Sequence, residues 1–189
     1  MNSNFNPLSS EELVSRINKI PRIRLAQLPT VLEYAPNISK ELNINLYIKR
    51  DDCTALAFGG NKTRHLEFIM AKTLSGEYDC ILTGAASQSN FCRQAVAAAN
   101  KLNLDSYLVL MHGVKGKLMQ GNFLLYNILG ANVDVVDGEN LENIPKHLDK
   151  KYDELIKEGR KPLLIYGGFG EEDTILASIS YANTMAEID

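Results

Sequence analysis

Gly59-Gly60-Asn61-Lys62-Thr63-Arg64 sets how the chain is read. A lysine stands at the start of an expected helix, directly behind two glycines. Downstream, Leu66, Phe68, Ile69, Met70 and Leu74 fall at three- and four-residue spacings and give the helix an apolar face. Without side chains, two glycines let a flat ligand approach the backbone. The positive end of a helix macrodipole disfavours an ammonium, and burial acts in the same direction. This placement therefore suits a lysine that attacks an aldehyde as the neutral amine, the first requirement of Schiff-base chemistry. Taken alone, G-G-N-K is better explained as a solvated lysine after a loop, so the rest of the chain has to decide.

Upstream, Leu46-Tyr47-Ile48-Lys49-Arg50-Asp51-Asp52 reads as a short buried strand over 44–48 running into a charged turn. Further back, Ser9-Ser10-Glu11-Glu12 caps a short helix over 13–17, Pro21 stops it, and 22–28 is extended up to Pro29. Residues 39–42 read as irregular, with one helical turn. From Asn61 onward the pattern alternates. A helix over 61–74 stops at Gly76, and a strand over 80–82 ends in the turn 83–86. Then come a helix over 89–102, a strand over 107–111, a loop at Gly113 and Gly116, and a helix over 118–129. A strand over 133–136, a helix over 144–157 with Pro145 in its first turn, and a strand over 163–166 follow. Asp173 is read as the cap of a last helix to 188. The fold class is therefore α/β, an open parallel sheet with right-handed crossover helices. Such sheets bind ligands at the carboxyl ends of their strands. The segment reaching Lys62, the loop 84–90 and the Gly167-Gly168 loop are expected at such ends.

The 189 residues suffice for one domain and part of another. With 45% hydrophobic and 23% charged residues, the chain can bury a core. A formal net charge of -3 without a basic stripe argues against nucleic acid as a partner. No apolar run reaches the ~20 residues that span a bilayer, so no membrane partner is expected. Met1 to Pro7 lack the charged and apolar regions of a secretory signal. Cys53, Cys80 and Cys92 show no paired or metal-type spacing. An odd thiol count in a chain without a signal fits reduced cysteines and a cytoplasmic home, with Cys80 and Cys92 as core filler. His65, His112 and His147 are scattered, and no metal site is expected.

Gly84-Ala85-Ala86-Ser87-Gln88-Ser89-Asn90 forms a second polar constellation, after a strand and before a helix. Its free N–H groups suit an anion such as a substrate carboxylate, and Asn90 could donate to a phenolate oxygen on a cofactor ring. A plain N-cap by Ser87 or Ser89, with Gln88 exposed, explains the same spacing. Neither G-x-G-x-x-G nor a Walker A sequence occurs, so a nucleotide-binding reading has little support.

Together these residues resemble the D-cysteine desulfhydrase and 1-aminocyclopropane-1-carboxylate deaminase family of pyridoxal-phosphate enzymes, within the tryptophan synthase β-like fold (fold type II). The likeness runs from Pro21-Arg22-Ile23-Arg24-Leu25 and Leu28-Pro29-Thr30 through Ile48-Lys49-Arg50-Asp51-Asp52 and Gly59 to Phe68. It continues through Gln88-Ser89-Asn90 with Arg93-Gln94, then Gly121-Asn122, to Gly167-Gly168 and Tyr181. K-R-D-D, G-G-N-K and Q-S-N at these separations are specific in combination.

The resemblance implies a role for each matching position. Lys62 would carry pyridoxal 5'-phosphate as a Schiff base and shuttle the α-proton. Asn61 would support the lysine and cofactor. Asn90 would hydrogen-bond the cofactor's ring oxygen. Ser89 would hold the substrate carboxylate, with Gln88 and Asn90 on the substrate side. The substrate would be a small amino acid. D-cysteine would give pyruvate, ammonia and hydrogen sulfide, and a 1-aminocyclopropane-1-carboxylate deaminase-like reaction is the sister possibility. A full-length form would be a homodimer.

The same likeness implies three parts: a large-domain segment over 1–64, a small α/β domain over 65–172, and over 173–189 the first helix back in the large domain. It further implies that the chain stops before that domain's sheet and the phosphate-cradling loop, leaving apolar faces exposed. A catalytically inactive remnant or binding module keeping the small domain is the alternative. Phe91, His65, Ser87 and Val31 depart from the family's usual residues, which bears on substrate choice more than on fold.

Overall fold

The alternation after residue 60 folds into four parallel strands: β3 (Cys80–Ala86), β4 (Asp105–Met111), β5 (Asn132–Val136) and β6 (Pro162–Ile165). β1 (Leu32–Tyr34) and β2 (Tyr47–Lys49) form a separate antiparallel pair. The helices are α1 (Ser10–Ile17), α2 (Pro36–Leu42), α3 (Lys62–Ile69), α4 (Asn90–Lys101), α5 (Gly121–Ile128), α6 (Ile144–Lys157) and α7 (Glu171–Ala186). The computed structural model describes residues 8–112, 118–137 and 140–188. The loop expected at Gly113 and Gly116 lies outside them.

The sheet order is β5-β4-β3-β6. The chain steps outward from β3 to β4 to β5, then returns through α6 to place β6 on the other side of β3. That reversal makes β3 and β6 the switch point of the sheet, where an open α/β sheet leaves a crevice beyond its carboxyl ends. Side-chain alternation sends the two faces to different helices. Ile81, Leu163 and Ile165 pack with Leu66, Ile69 and Met70 of the α3 segment and with the alanines of α4. Leu82, Val109 and Met111 pack with Ile144, Leu148 and Leu155 of α6. Leu108 and Leu110 meet Phe123 and Tyr126 of α5. Burial on both faces accounts for the unbroken apolar Cys80-Ile81-Leu82 run.

Local signals set several boundaries. Ser9 caps α1 in a reciprocal pair with Glu12, as the Ser-Ser-Glu-Glu pattern required. α3 continues as a tighter helix over Met70–Ser75 and ends at Gly76 in the left-handed conformation. Pro145 sits in the first turn of α6. Cys80 and Cys92 are buried, and burial pushes both thiols up to about 12, so they fill the core.

Several expectations fail, among them the turn read over 83–86, which belongs to β3. The strand read as buried over 44–48 is the three-residue β2, with Tyr47 54% and Ile48 45% exposed. It pairs only with β1, so no second layer covers it. Residues 36–42 form a seven-residue helix where an irregular stretch was expected, with Pro36 pre-setting its first turn. The last helix starts at Glu171 with Gly170 as cap, and Asp173 lies inside its first turn.

α7 packs against α1 and α3. Leu32 and Tyr34 on the ribbon, and Ile175 and Met185 on α7, are exposed. No described helix is long and apolar enough to cross a membrane.

Candidate active site

A cavity of about 310 Å³ opens at the switch point. Lys62, His65 and Ile69 line it from α3, Gly84 and Ala85 from the end of β3, and Phe91 from α4. Tyr166 to Phe169 close it after β6, and Asp173, Thr174, Ala177 and Tyr181 of α7 complete the wall. Its size is that of a small-ligand site. A larger hollow of about 580 Å³ lies among α1, α3 and α7, but it is lined by no lysine, and its Arg22 and Glu67 are paired with each other. The smaller cavity, which holds Lys62, is therefore the candidate site.

Lys62 is half-buried, and no described residue forms a hydrogen bond or ion pair with its amine. The loop before it is held tightly. Gly59 and Gly60 have φ of 71° and 129°, and a Cβ on Gly59 would overlap the Asp52 carbonyl oxygen. A Cβ on Gly60 would lie 2.5 Å from Gln94 Nε2. The glycines thus admit other parts of the protein itself, a reason the sequence did not reveal. Gln94 Nε2 and Arg93 Nη2 each donate to the Gly59 carbonyl at 3.0 Å. Thr63 Oγ1 donates to Gln94 Oε1 at 2.6 Å, and Gly60 N donates to Thr54 Oγ1 at 2.9 Å. Gly59→Ala is expected to cost about 1–3 kcal/mol through backbone strain. A urea midpoint that falls at unchanged m-value checks this; an unshifted midpoint contradicts it.

The Gln88-Ser89-Asn90 turn is built from the side by α5. Asn122 Nδ2 donates to the Gln88 carbonyl at 2.7 Å and to Asn90 Oδ1 at 2.9 Å, and Asn122 N donates to Gln88 Oε1 at 3.0 Å. Gly121, at φ 54°, leaves room for Gln88, since a Cβ there would sit 2.6 Å from Gln88 Oε1. Tyr126 donates its hydroxyl to the Ser89 carbonyl at 2.8 Å. Ser89 Oγ accepts from Cys92 N at 3.2 Å, so Ser89 caps α4. Arg93 Nη1 donates to Asn90 Oδ1 at 2.9 Å. With Asn90 Oδ1 taken by Arg93 and Asn122, its Nδ2 is the unspent end of the amide.

Arg93 therefore touches both constellations, Asn90 with one nitrogen and the Gly59 carbonyl with another. Lys62 lines the cavity itself. Asn61 Nδ2 donates at 2.9 Å to the hydroxyl of Tyr181, which also lines it. Gln88, Ser89 and Asn90 are not on the cavity wall; their neighbour Phe91 is. Arg93, Gln94 and Asn122 belong to the stretches that carry the family resemblance, but the sequence assigned them no role, because their roles are long-range hydrogen bonds with no local pattern.

Among the ionisable groups on the wall, His65 and Asp173 are displaced from their ordinary ranges. Burial, and then the charge of Lys62, pushes His65 down to about 4 against a weaker upward pull from Asp51, and its Nε2 has no hydrogen-bond partner. His65 is thus neutral at physiological pH. Burial pushes the Asp173 carboxyl up, although it accepts the Gly167 N–H at 2.9 Å. Asp173 therefore shapes the Gly167-Gly168 turn rather than capping α7. No group of three or more potential metal ligands occurs among the described residues.

A family model described as "Pyridoxal-phosphate dependent enzyme" matches residues 23–189. The chain belongs to the pyridoxal-phosphate dependent enzyme family. Within that family it is 36% identical over 178 residues to a Pyrococcus horikoshii protein provisionally named as a 1-aminocyclopropane-1-carboxylate deaminase, covering 94% of this chain and 53% of that protein. It is 36% identical over 180 residues to the D-cysteine desulfhydrase of Klebsiella pneumoniae, covering 93% and 53%. A crystal structure titled as an ACC deaminase homologue superposes with a TM-score of 0.84 at 37% identity, covering 93% of this chain and 52% of that one. The chain spans about half the length of the curated relatives it matches. Diaminopropionate ammonia lyase of Escherichia coli shares the fold at 14% identity and a TM-score of 0.64.

The residues present fit the cofactor that the family name implies. An unpaired, half-buried amine in a cavity of this size suits an aromatic aldehyde, and an unspent amide donor is available at Asn90.

Proposed function

We propose that this chain carries the lysine-bearing part of a pyridoxal-phosphate dependent lyase or deaminase acting on a small amino acid, D-cysteine desulfhydrase-like or 1-aminocyclopropane-1-carboxylate deaminase-like. The observation that carries the proposal is the unpaired Lys62 amine in the cavity at the β3–β6 switch point. When bound, pyridoxal phosphate supplies an electron sink for a carbanion at the amino-acid α-carbon. Lys62 Nζ would hold the cofactor through its aldehyde carbon and, once freed by the substrate amine, would take the proton from the α-carbon. Asn90 Nδ2 would donate to the ring oxygen, its amide being oriented by Arg93 and Asn122. The Ser89 hydroxyl proton, with Gln88 and neighbouring N–H groups, holds the substrate carboxylate. Asn61 supports the lysine by tying its own side chain to Tyr181. With D-cysteine and one water, the products balance as pyruvate, ammonia and hydrogen sulfide. The reading extends to a cytoplasmic location, to a homodimer for a full-length form, and to a small domain beginning just after Lys62.

The test is to add pyridoxal phosphate to the purified chain, reduce with borohydride and map the modified residue by mass spectrometry. Stoichiometric labelling at Lys62 supports the proposal; scattered or absent labelling contradicts it. Ser89→Ala separates two roles. Loss of the cap is expected to cost about 1 kcal/mol, read from the thermal midpoint. If Ser89 also holds the carboxylate, substrate affinity falls while cofactor affinity does not. An unchanged substrate affinity makes Ser89 a cap alone.

A further inference from the structure

Tyr181 has a hydroxyl proton that the roles above leave unused. α7 brings it to the wall of the Lys62 cavity, and at 46% exposure the residue stands at the mouth. Two contacts fix it. Its ring lies edge-on to His65 with centroids 4.9 Å apart, and its oxygen accepts from Asn61 Nδ2 at 2.9 Å. Asn61 immediately precedes Lys62, so the phenol oxygen is tied to the residue beside the reactive amine.

A phenol accepts and donates through the same oxygen. Here one lone pair is filled by Asn61, and no described residue accepts the hydroxyl proton. The donor is therefore available to whatever enters the cavity. His65 braces the ring as a neutral imidazole, so the brace adds no second cation beside Lys62. Asp173 is the carboxylate on the same wall, and it is engaged with Gly167 N. An oriented donor at the cavity mouth beside an amine suits an acceptor oxygen on an anionic ligand.

We propose that Tyr181 is a ligand-contacting residue of the Lys62 cavity, donating its hydroxyl hydrogen bond to an acceptor oxygen of the occupant, either the carboxylate of a small amino acid or an oxygen of the cofactor. The inference rests on the assignment of Lys62 as the cofactor-binding lysine. It adds a specificity-determining group from α7 to a site otherwise drawn from the Lys62 loop and the Gln88-Ser89-Asn90 turn.

Tyr181→Phe is the test, because it keeps the ring against His65 and removes only the hydroxyl. Wild type and variant are titrated with pyridoxal phosphate and with pyridoxal, following absorbance. The loaded proteins are then titrated with D-alanine, which lacks a leaving group and cannot eliminate. If the partner is the amino-acid carboxylate, the half-saturating D-alanine concentration rises about tenfold in the variant at unchanged cofactor affinity. If it is a cofactor oxygen, pyridoxal phosphate binds about tenfold more weakly. Loss for pyridoxal as well then places the contact on the ring, and loss for the phosphorylated form alone places it on the phosphate. A merely structural role would lower the thermal midpoint without either change. If every affinity stays within about twofold of wild type, the proposal is overturned while Lys62 keeps its assignment. If the wild-type chain itself takes up no cofactor at Lys62, both fall together.

Discussion

Lys62→Ala is expected to abolish borohydride-fixed attachment of pyridoxal phosphate, from about one equivalent per chain to background, with little loss of stability. The two halves of this expectation have different physical origins. Attachment needs a primary amine that reaches an aldehyde while neutral, and no other lysine lines the cavity at the β3–β6 switch point. Stability is spared because the amine makes no hydrogen bond or ion pair with a described residue and the side chain is only half-buried. A change within about 0.5 kcal/mol is the expectation for such a position. Lys62→Arg should fail equally, since a guanidinium stays protonated and forms no Schiff base. The measurement is peptide mapping after reduction, with urea unfolding of the same samples. Stoichiometric label on another lysine in the variant would sink the assignment.

The position of Lys62 at the head of a helix was legible because its pattern is local: two glycines, a lysine and an amphipathic run lie within a dozen residues. The sheet was legible for a similar reason. Strands buried on both faces must be apolar throughout, and Cys80-Ile81-Leu82 and Tyr107 to Met111 are nearly so. Of the β1–β2 ribbon only β2 was read as a strand, over 44–48 and as buried, and β1 was missed. Both strands are three residues long and largely exposed, so neither burial nor length leaves a pattern. Asp173 was misread because an acidic residue early in a helix signals a cap, whereas this carboxylate turns back to hold Gly167 N. The Gln88-Ser89-Asn90 turn was half legible. Ser89 is the N-cap that its spacing allowed, but nothing local points to Asn122, thirty-two residues beyond Asn90, as the brace for its amide.

The K-R-D-D motif makes the same point with larger energies. Its second acid, Asp52, pairs with Arg50 on the surface. Its first, Asp51, takes two hydrogen bonds from Arg64, each at 2.9 Å. Arg64 is 1% exposed and also reaches both oxygens of Glu187, at 2.7 and 2.9 Å. Lys49 adds a contact to Glu187 at 2.9 Å. One guanidinium therefore joins the turn after β2, the helix that begins at Lys62, and the end of α7. A neighbouring clamp repeats the design, where buried Glu67 accepts from Arg22 and from the backbone of Leu25 and Ala26. These charges look like ligand-binding candidates in a sequence, but the structure pairs them with one another.

Arg64→Ala is accordingly expected to be the most damaging single change to stability, costing about 3–5 kcal/mol, because it leaves Asp51 without an ion-pair partner and Glu187 with Lys49 alone, both with little access to water. Arg64→Lys should recover only part of this, since an ammonium cannot hold two carboxylates in bidentate geometry. Acid dependence supplies an independent readout. Burial pushes the Glu187 carboxyl up, but hydrogen bonds from Arg64 and Lys49 outweigh it and hold the group below its ordinary 4.5. A carboxyl lowered in the folded state stabilises above the unfolded value, and that contribution is lost as pH falls through the folded one. His65 adds an earlier loss. The unfolded chain takes a proton near 6.5 that the folded chain refuses until about 4, so stability declines across that interval. Wild type should therefore weaken in two stages, from 6.5 toward 4 and again below 4.5, and Arg64→Ala should lack the second. Urea midpoints across this range decide it. A loss below about 1 kcal/mol with an unaltered acid profile would mean that the cluster behaves like a surface pair. A large loss with the second stage removed would mean that α7, and with it Tyr181 and Asp173 on the cavity wall, is held to the Lys62 helix chiefly through Arg64.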